Sequence, residues 1–371
     1  MFSFTALFFV IYTIAMAIVV SVGFHLQRKK EETYFSEKNG VSLDEITVLI
    51  PFRNEEHRLK GLLDSIQNSE MYPQEFIFID DHSSDKSAEL VEKELKGLNF
   101  QIISLTEELT GKKKALRSAI EQVKTKYILT LDADVHFGGN YFESLSKLEE
   151  SDLYILPAIM EAKKPMEYLY EIDLVLVNAV NTGLAGISRP IVCSGANLLY
   201  KKDIFDEVDD LDSHIHAASG DDTYLLRDFR ENDKEIRLIS NSFCAVRTET
   251  PQSFREFIDQ RLRWIGKTGD LKDNLSTSLA VVQSIFTISF FLLLIYTIFL
   301  AEWKMFIVLF IVKSSIDLLL FASFFTRINR RVTWLLIPLY ELLFPVYTLV
   351  ILGLVFTYKP KWKGRGIYEK K

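Results

Sequence analysis

From Met1 to Phe24 the chain reads MFSFTALFFVIYTIAMAIVVSVGF, without one charged side chain. An α-helix rises 1.5 Å per residue, so this run is long enough to cross the ~30 Å hydrocarbon layer of a bilayer. A cleaved secretory signal is the competing reading. It needs a basic start, a shorter apolar core and a small-residue cleavage site. Here the bases Arg28, Lys29 and Lys30 come after the run. Residues 1–27 therefore read as an uncleaved anchor, and the positive-inside rule puts residue 28 onward in the cytoplasm.

A second apolar block starts near Ser278. SLAVVQSIFTISFFLLLIYTIFL is one span and MFIVLFIVKSSIDLLLFASFF another, joined through Ala301–Lys304. VTWLLIPLYELLFPVYTLVILGLVF is long enough for a third, but Pro338, Glu341 and Pro345 are expected to interrupt it. Residues 278–358 thus carry two to three membrane segments, followed by a basic tail at 359–371. Apolar residues make up 48% of the chain while 25% is charged, which suits a soluble domain joined to membrane segments. The net charge of −7 implies no broad basic surface and argues against nucleic acid as a partner. Two cysteines, Cys193 and Cys244, make neither a disulfide framework nor a zinc site.

Between residues 40 and 275 strand-like and helical patterns alternate. ITVLIP (46–51), EFIFID (75–80), FQIISL (100–105) and YILTL (127–131) are compact apolar runs. Leu59, Leu62, Leu63 and Ile66 fall at i, i+3, i+4 and i+7, and residues 84–97 and 111–123 carry helical spacing too. Such alternation predicts an α/β domain with a mostly parallel sheet covered on both faces. Ligands in such sheets bind outside the carboxyl ends of the strands.

The acidic clusters sit at those ends. In YILTLDADVHF, Asp132 and Asp134 follow a strand with only an alanine between them; on an extended backbone they would share a face. Two readings stand: a polar turn, or a hold for Mg²⁺ or Mn²⁺, which favour carboxylate oxygens and bridge to substrate phosphates. In IDDHSSD, Ser84 or Asp85 suits a helix cap. The doubled Asp80 and Asp81 exceed what a cap needs, and a carboxylate there, Asp81 before Asp80, suits the base or ribose of a nucleotide. In SGDDTYLLRDF one acid, Asp221 for preference, caps the helix while the other serves as a general base. FREFIDQRLRWIGK (254–267) reads as an amphipathic membrane-surface helix with Arg255, Arg261, Arg263 and Lys267 on its polar face. Gln260, Arg263 and Trp264 fall at i, i+3 and i+4, a trio suited to a diphosphate and a sugar ring.

Five motifs, VLIPFRNE, IDDHSSD, DAD, GDD and QRLRW, occur in order between residues 46 and 267. In that order and separation they resemble membrane-bound family 2 glycosyltransferases of GT-A fold, a branch that includes ceramide glucosyltransferases and polysaccharide synthases. KWKGRGIY (361–368) also resembles the ending of bacterial relatives of the glycolipid-forming members. The resemblance implies a nucleotide-sugar transferase of the bacterial inner membrane with its catalytic domain in the cytoplasm. It implies Asp81 at the nucleotide base, Asp132 and Asp134 at a metal-diphosphate, and Lys112 of GKKKAL near the donor phosphates. Asp222 would be the base on the acceptor hydroxyl, and Gln260, Arg263 and Trp264 would lie near diphosphate and acceptor. The family's TED-like tripeptide is GDD here, which leaves Asp221 and Asp222 in competition for the role of base.

The implied reaction is a single inverting displacement at the anomeric carbon, from a nucleotide sugar with a family lean to UDP. A polymer-extruding channel needs several helices, and this chain offers few. A lipid or lipid-linked acceptor is therefore expected, with polysaccharide synthesis aided by a partner membrane subunit as the alternative. A transporter or non-catalytic scaffold is the rival of another class, disfavoured by the soluble α/β portion and the acids at its strand ends. Lys313, Asp317 and Glu341 lie within apolar segments, where ionisable groups are rare and usually functional. Lys313 and Asp317, at i and i+4, are expected to neutralise each other.

Overall fold

A computed structural model describes residues 2–106, 111–209, 221–270, 273–355, 357–358, 361–362 and 365–366. Gly220 and most of the basic tail lie outside them. The chain divides into two compact units. One holds Lys30–Glu161 and Val192–Glu249; the other holds the N-terminal residues to Lys29, Ala162–Ile191 and Thr250–Gly366. The residues expected to form one domain at 40–275 are therefore shared between the two.

The first unit is built on seven strands in the order β3-β2-β1-β4-β8-β6-β9. These are β1 (Ile46–Phe52), β2 (Glu75–Asp80), β3 (Phe100–Ser104), β4 (Tyr127–Leu131), β6 (Leu153–Ile155), β8 (Asn197–Lys201) and β9 (Ile236–Leu238). β1 to β4 are mutually parallel, β8 is antiparallel to both β4 and β6, and β9 is parallel to β6. Only β8 opposes the rest, so the mostly parallel sheet is as expected. Ile46, Val48, Leu49 and Ile50 are all fully buried, which is why β1 is a continuous apolar run with no alternation. Leu59, Leu62, Leu63 and Ile66 of the Leu59–Gln67 helix are equally buried, so the i, i+3, i+4, i+7 stripe is a core face.

The parallel register sets the functional edge. Phe52 stands opposite Asp80, and Thr130 opposite Leu49, so the loops after β1, β2 and β4 emerge side by side. A small second sheet, with β5 (Val135–His136) and β7 (Ala158–Glu161) on either side of β10 (Val246–Glu249), begins directly after Asp134. There His136 Nε2 lies 3.2 Å from a Glu161 oxygen, and Arg247 Nη1 donates to the other at 2.5 Å.

Among the described residues four helices are long and apolar enough to cross a membrane: Phe9–Glu32, which lies in the second unit up to Lys29, and Asn274–Phe299, Trp303–Arg327 and Ile337–Val355 of the same unit. Within the first, Ile18–Gly23 is wound as a π-helix. This is where it meets the Glu167–Ile187 helix: a Cβ on Gly23 would strike the Gly183 carbonyl, and one on Gly186 the Gly23 carbonyl. The expected interruption of the last segment is corrected. The break falls at Leu336, after a short Arg331–Leu335 helix, and Ile337–Val355 is continuous. Pro338 sits in its first turn, where a missing N–H costs nothing, and Pro345 lies inside without ending it. Lys313 pairs with Asp317 as expected, and also reaches Glu341 at 3.3 Å, while Ser314 donates to the same Glu341 at 2.8 Å.

The Phe254–Asp270 helix departs from its membrane-surface reading in two respects. Phe257, Ile258 and Leu262 are buried against Tyr170, Tyr347 and Ile351, so protein covers this face. Arg261, assigned to the polar face, is buried at 9% exposure and ion-paired with Asp173.

Candidate active site

Asp81 follows β2 directly and is 2% exposed. Its Oδ2 accepts the Gly111 N–H at 3.1 Å, and its Oδ1 lies 3.7 Å from Arg53 Nη1. Gly111 has φ +98°, open to glycine, and it launches the Lys112–Ile120 helix. Asp81 thus ties the loop after β1 to the start of the helix that carries Lys112. Asp80 is the last residue of β2 and braces the turn that follows, its Oδ1 accepting the Ser83 N–H at 2.8 Å. The adjacent loops interlock: Asn54, at φ +51°, accepts from Ser84 N–H at 2.8 Å and donates its own N–H to Ser83 Oγ at 3.1 Å.

The helix that follows begins at Ser87, two residues beyond Asp85. Asp85 accepts from Ser87 N–H at 3.1 Å, from Ser87 Oγ at 2.6 Å and from Glu56 N–H at 3.0 Å. Burial works to raise its pKa, but these hydrogen bonds outweigh it and hold the carboxyl below its ordinary value.

Asp132 and Asp134 do not share a face of an extended strand. β4 ends at Leu131, and residues 132–134 form a turn before β5. Each acid has its own cation: Lys112 Nζ pairs with Asp132, and Arg58 Nη1 with Asp134 at 3.0 Å. Arg58 Nε also donates to Glu55 at 3.1 Å. Burial lowers the Arg58 pKa, but Asp134 and Glu55 more than offset it and leave the group raised. Arg58 is a functional candidate that the motifs did not single out. Its signal was present: a base three residues after Glu55, in the loop of a strand aligned with β4.

Among the described residues no three His, Cys, Asp or Glu side chains gather as a metal cage. Two carboxylates on a turn are nonetheless a fitting protein share for Mg²⁺ or Mn²⁺, which keep waters and take substrate phosphate oxygens for the remaining positions. Asp132 and Asp134 are the residues that would hold such an ion.

Asp222 lies in the same unit, in the first turn of the Asp221–Glu231 helix. Its Oδ2 accepts Gly195 N–H at 3.1 Å, and its Oδ1 accepts Thr223 N–H at 2.8 Å and Thr223 Oγ1 at 3.0 Å. Cys193 Sγ donates to its backbone carbonyl at 3.1 Å. The residue pictured as released from capping is thus itself held by backbone amides, which fixes its rotamer. The Asp221 side chain lies outside the described residues. Gln260, Arg263 and Trp264 belong to the other unit. All three are half-buried on the Phe254–Asp270 helix, with the Arg261 guanidinium 5.0 Å from the Trp264 ring centre.

The fold is of the GT-A type. A mannosyltransferase from Pyrobaculum calidifontis, solved in complex with GDP-Man and Mn²⁺, shares the fold at a TM-score of 0.53, covering 93% of this chain and 99% of that one at 13% identity. Residues 47–208 match the family profile described as Glycosyl transferase family 2. The chain carries a family 2 glycosyltransferase domain.

Among curated relatives, poly-β-1,6-N-acetyl-D-glucosamine synthase of Staphylococcus aureus is 31% identical over 131 residues, 34% of this chain and 31% of the relative. Glycosyltransferase GlyA of Streptococcus pneumoniae is 30% identical over 104 residues, 28% of this chain and 15% of the relative. The match thus spans about a third or less of these relatives' length.

Proposed function

We propose that the chain transfers a sugar, with inversion, from a nucleotide sugar to a lipid or lipid-linked acceptor at the cytoplasmic face of a membrane. The observation that carries this is the convergence of Asp81, Lys112, Asp132 and Asp134 at the carboxyl ends of parallel strands in a family 2 domain. Asp81 receives the nucleotide base and Lys112 a donor phosphate. A divalent ion held by Asp132 and Asp134 would offset charge on the departing diphosphate. Asp222 takes the proton of the acceptor hydroxyl as the new bond forms. Gln260, Arg263 and Trp264 serve the diphosphate and acceptor. Four helices long and apolar enough to cross a bilayer would hold the chain at the membrane, beside a lipid acceptor. A uridine nucleotide is the expected donor.

A second reading, polymer synthesis with a partner membrane subunit, is favoured by the N-acetylglucosamine polymer synthase among the relatives. Membranes containing the chain, given labelled nucleotide sugars with Mg²⁺ or Mn²⁺, separate the two. Label extracted into organic solvent supports the lipid product, and label in an insoluble polymer supports the second reading. Label in neither fraction across a broad donor panel refutes glycosyl transfer.

A further inference from the structure

One carboxylate beneath the Gln260–Trp264 element has no part in the proposed chemistry. Asp173, in the Glu167–Ile187 helix, is 4% exposed and ion-paired with Arg261, itself 9% exposed. Tyr340 donates its hydroxyl to Asp173 Oδ1 at 2.6 Å. The same guanidinium lies over the Trp264 ring, 5.0 Å from its centre. The surroundings are rigid: Phe257 stacks on Tyr170 at 4.5 Å and packs on Tyr347 at 5.2 Å.

A buried ion pair is a poor stability device, because an apolar packing of equal volume does as well or better. What it supplies is fixed geometry. A planar guanidinium can grip a carboxylate with its edge and cover an indole with its face, which an ammonium cannot do. We propose that Asp173 is the positioning residue of this element: it orients Arg261, and Arg261 sets the plane of the Trp264 indole. The inference rests on the reading of Gln260, Arg263 and Trp264 as the diphosphate and acceptor element, and deepens it.

The test uses the purified full chain in detergent. One arm needs no substrate. With Trp303, Trp334 and Trp362 replaced by Phe, Trp264 is the single emitter of the four tryptophans. Asp173→Asn and Arg261→Lys should then shift its emission in the same sense. In the turnover arm, with the nucleotide sugar selected by the membrane assay, both substitutions should lower kcat by about 10- to 100-fold, the scale of a small misplacement of a reacting group. The donor KM should stay within about twofold. Tyr340→Phe, which removes one donor to the buried carboxylate, should lower kcat in the same pattern with the donor KM within about twofold and a smaller fall in melting midpoint than Asp173→Asn gives.

Unshifted Trp264 emission in Asp173→Asn, or a wild-type kcat, overturns the proposal. So does a loss of kcat that is matched in donor binding and melting for both Asp173→Asn and Tyr340→Phe, since that marks a merely structural role. Trp264→Ala separates the levels. If it abolishes turnover while Asp173→Asn does not, only the positioning role fails; if it leaves turnover intact, the reading of the element fails and the inference with it.

Discussion

Glu161→Gln is the sharpest test of how the Asp132–Asp134 turn is held. Glu161 binds His136 and Arg247, and so joins all three strands of the small sheet that starts one residue after Asp134. The hydrogen bond from His136 leads in lowering its carboxyl from 4.5 to about 2, against burial and with help from Arg247. At about 1.36 kcal/mol per pKa unit this fall corresponds to about 3.4 kcal/mol. The side chain is 26% exposed, and solvent screening brings the expected contribution down to about 1–2 kcal/mol.

Because the folded-state pKa is depressed, the contribution is complete above about pH 4.5 and is lost as pH falls toward 2. Hydrogen exchange in peptides covering Val135–Phe137 reads the local opening directly. At pH 6 the variant should exchange about 5- to 30-fold faster than wild type. The ratio should shrink toward one as pH falls below 4.5. Equal exchange at pH 6, or a ratio that stays constant down to pH 3, refutes the reasoning.

Asp222→Asn should lower turnover by about 10²–10⁴-fold while nucleotide-sugar binding survives, checked by titration calorimetry beside the rate assay. Chelation should abolish wild-type activity and Mn²⁺ restore it, whereas Asp132→Ala and Asp134→Ala should bind Mn²⁺ more weakly by electron paramagnetic resonance. Glu171→Gln should destabilise the unit by about 3–5 kcal/mol in denaturant unfolding, since it strands Arg330 and takes charge from the acceptor of Ala162 N–H and Thr333. Gly183→Val should cost about 1–3 kcal/mol by the same measurement, because its side chain would enter the Val19 carbonyl.

The first half of the sheet was legible because parallel strands covered on both faces are written as unbroken apolar runs, and β1, β2 and β4 fall where those runs lie. The order of the acidic motifs marked the strand ends for the same reason. Later elements were harder to read. β6 and β9 are three residues each, too short to carry a period. The turn at 132–134 is one of the two readings its sequence allows, and the strand before it ends at Leu131 where the apolar run ends. Arg261 was read as a surface base because its neutralising acid, Asp173, lies 88 positions earlier in the chain. Glu171 and Asp173 do leave a trace: they are two of the three acids in EYLYEIDLVLVNAV and lie inside it, where an apolar helix has no solvent face to give them.

The Lys313–Asp317–Glu341 cluster bears on how the apolar helices depend on one another. Trp303–Arg327 carries Lys313 and Asp317 one turn apart, so the two charges in its middle offset each other within the helix. Ile337–Val355 has Glu341 and no base of its own. It finds Lys313 and Ser314 only on the preceding helix. In a bilayer the last hydrophobic segment would therefore depend on Trp303–Arg327 for the partners of its one acid.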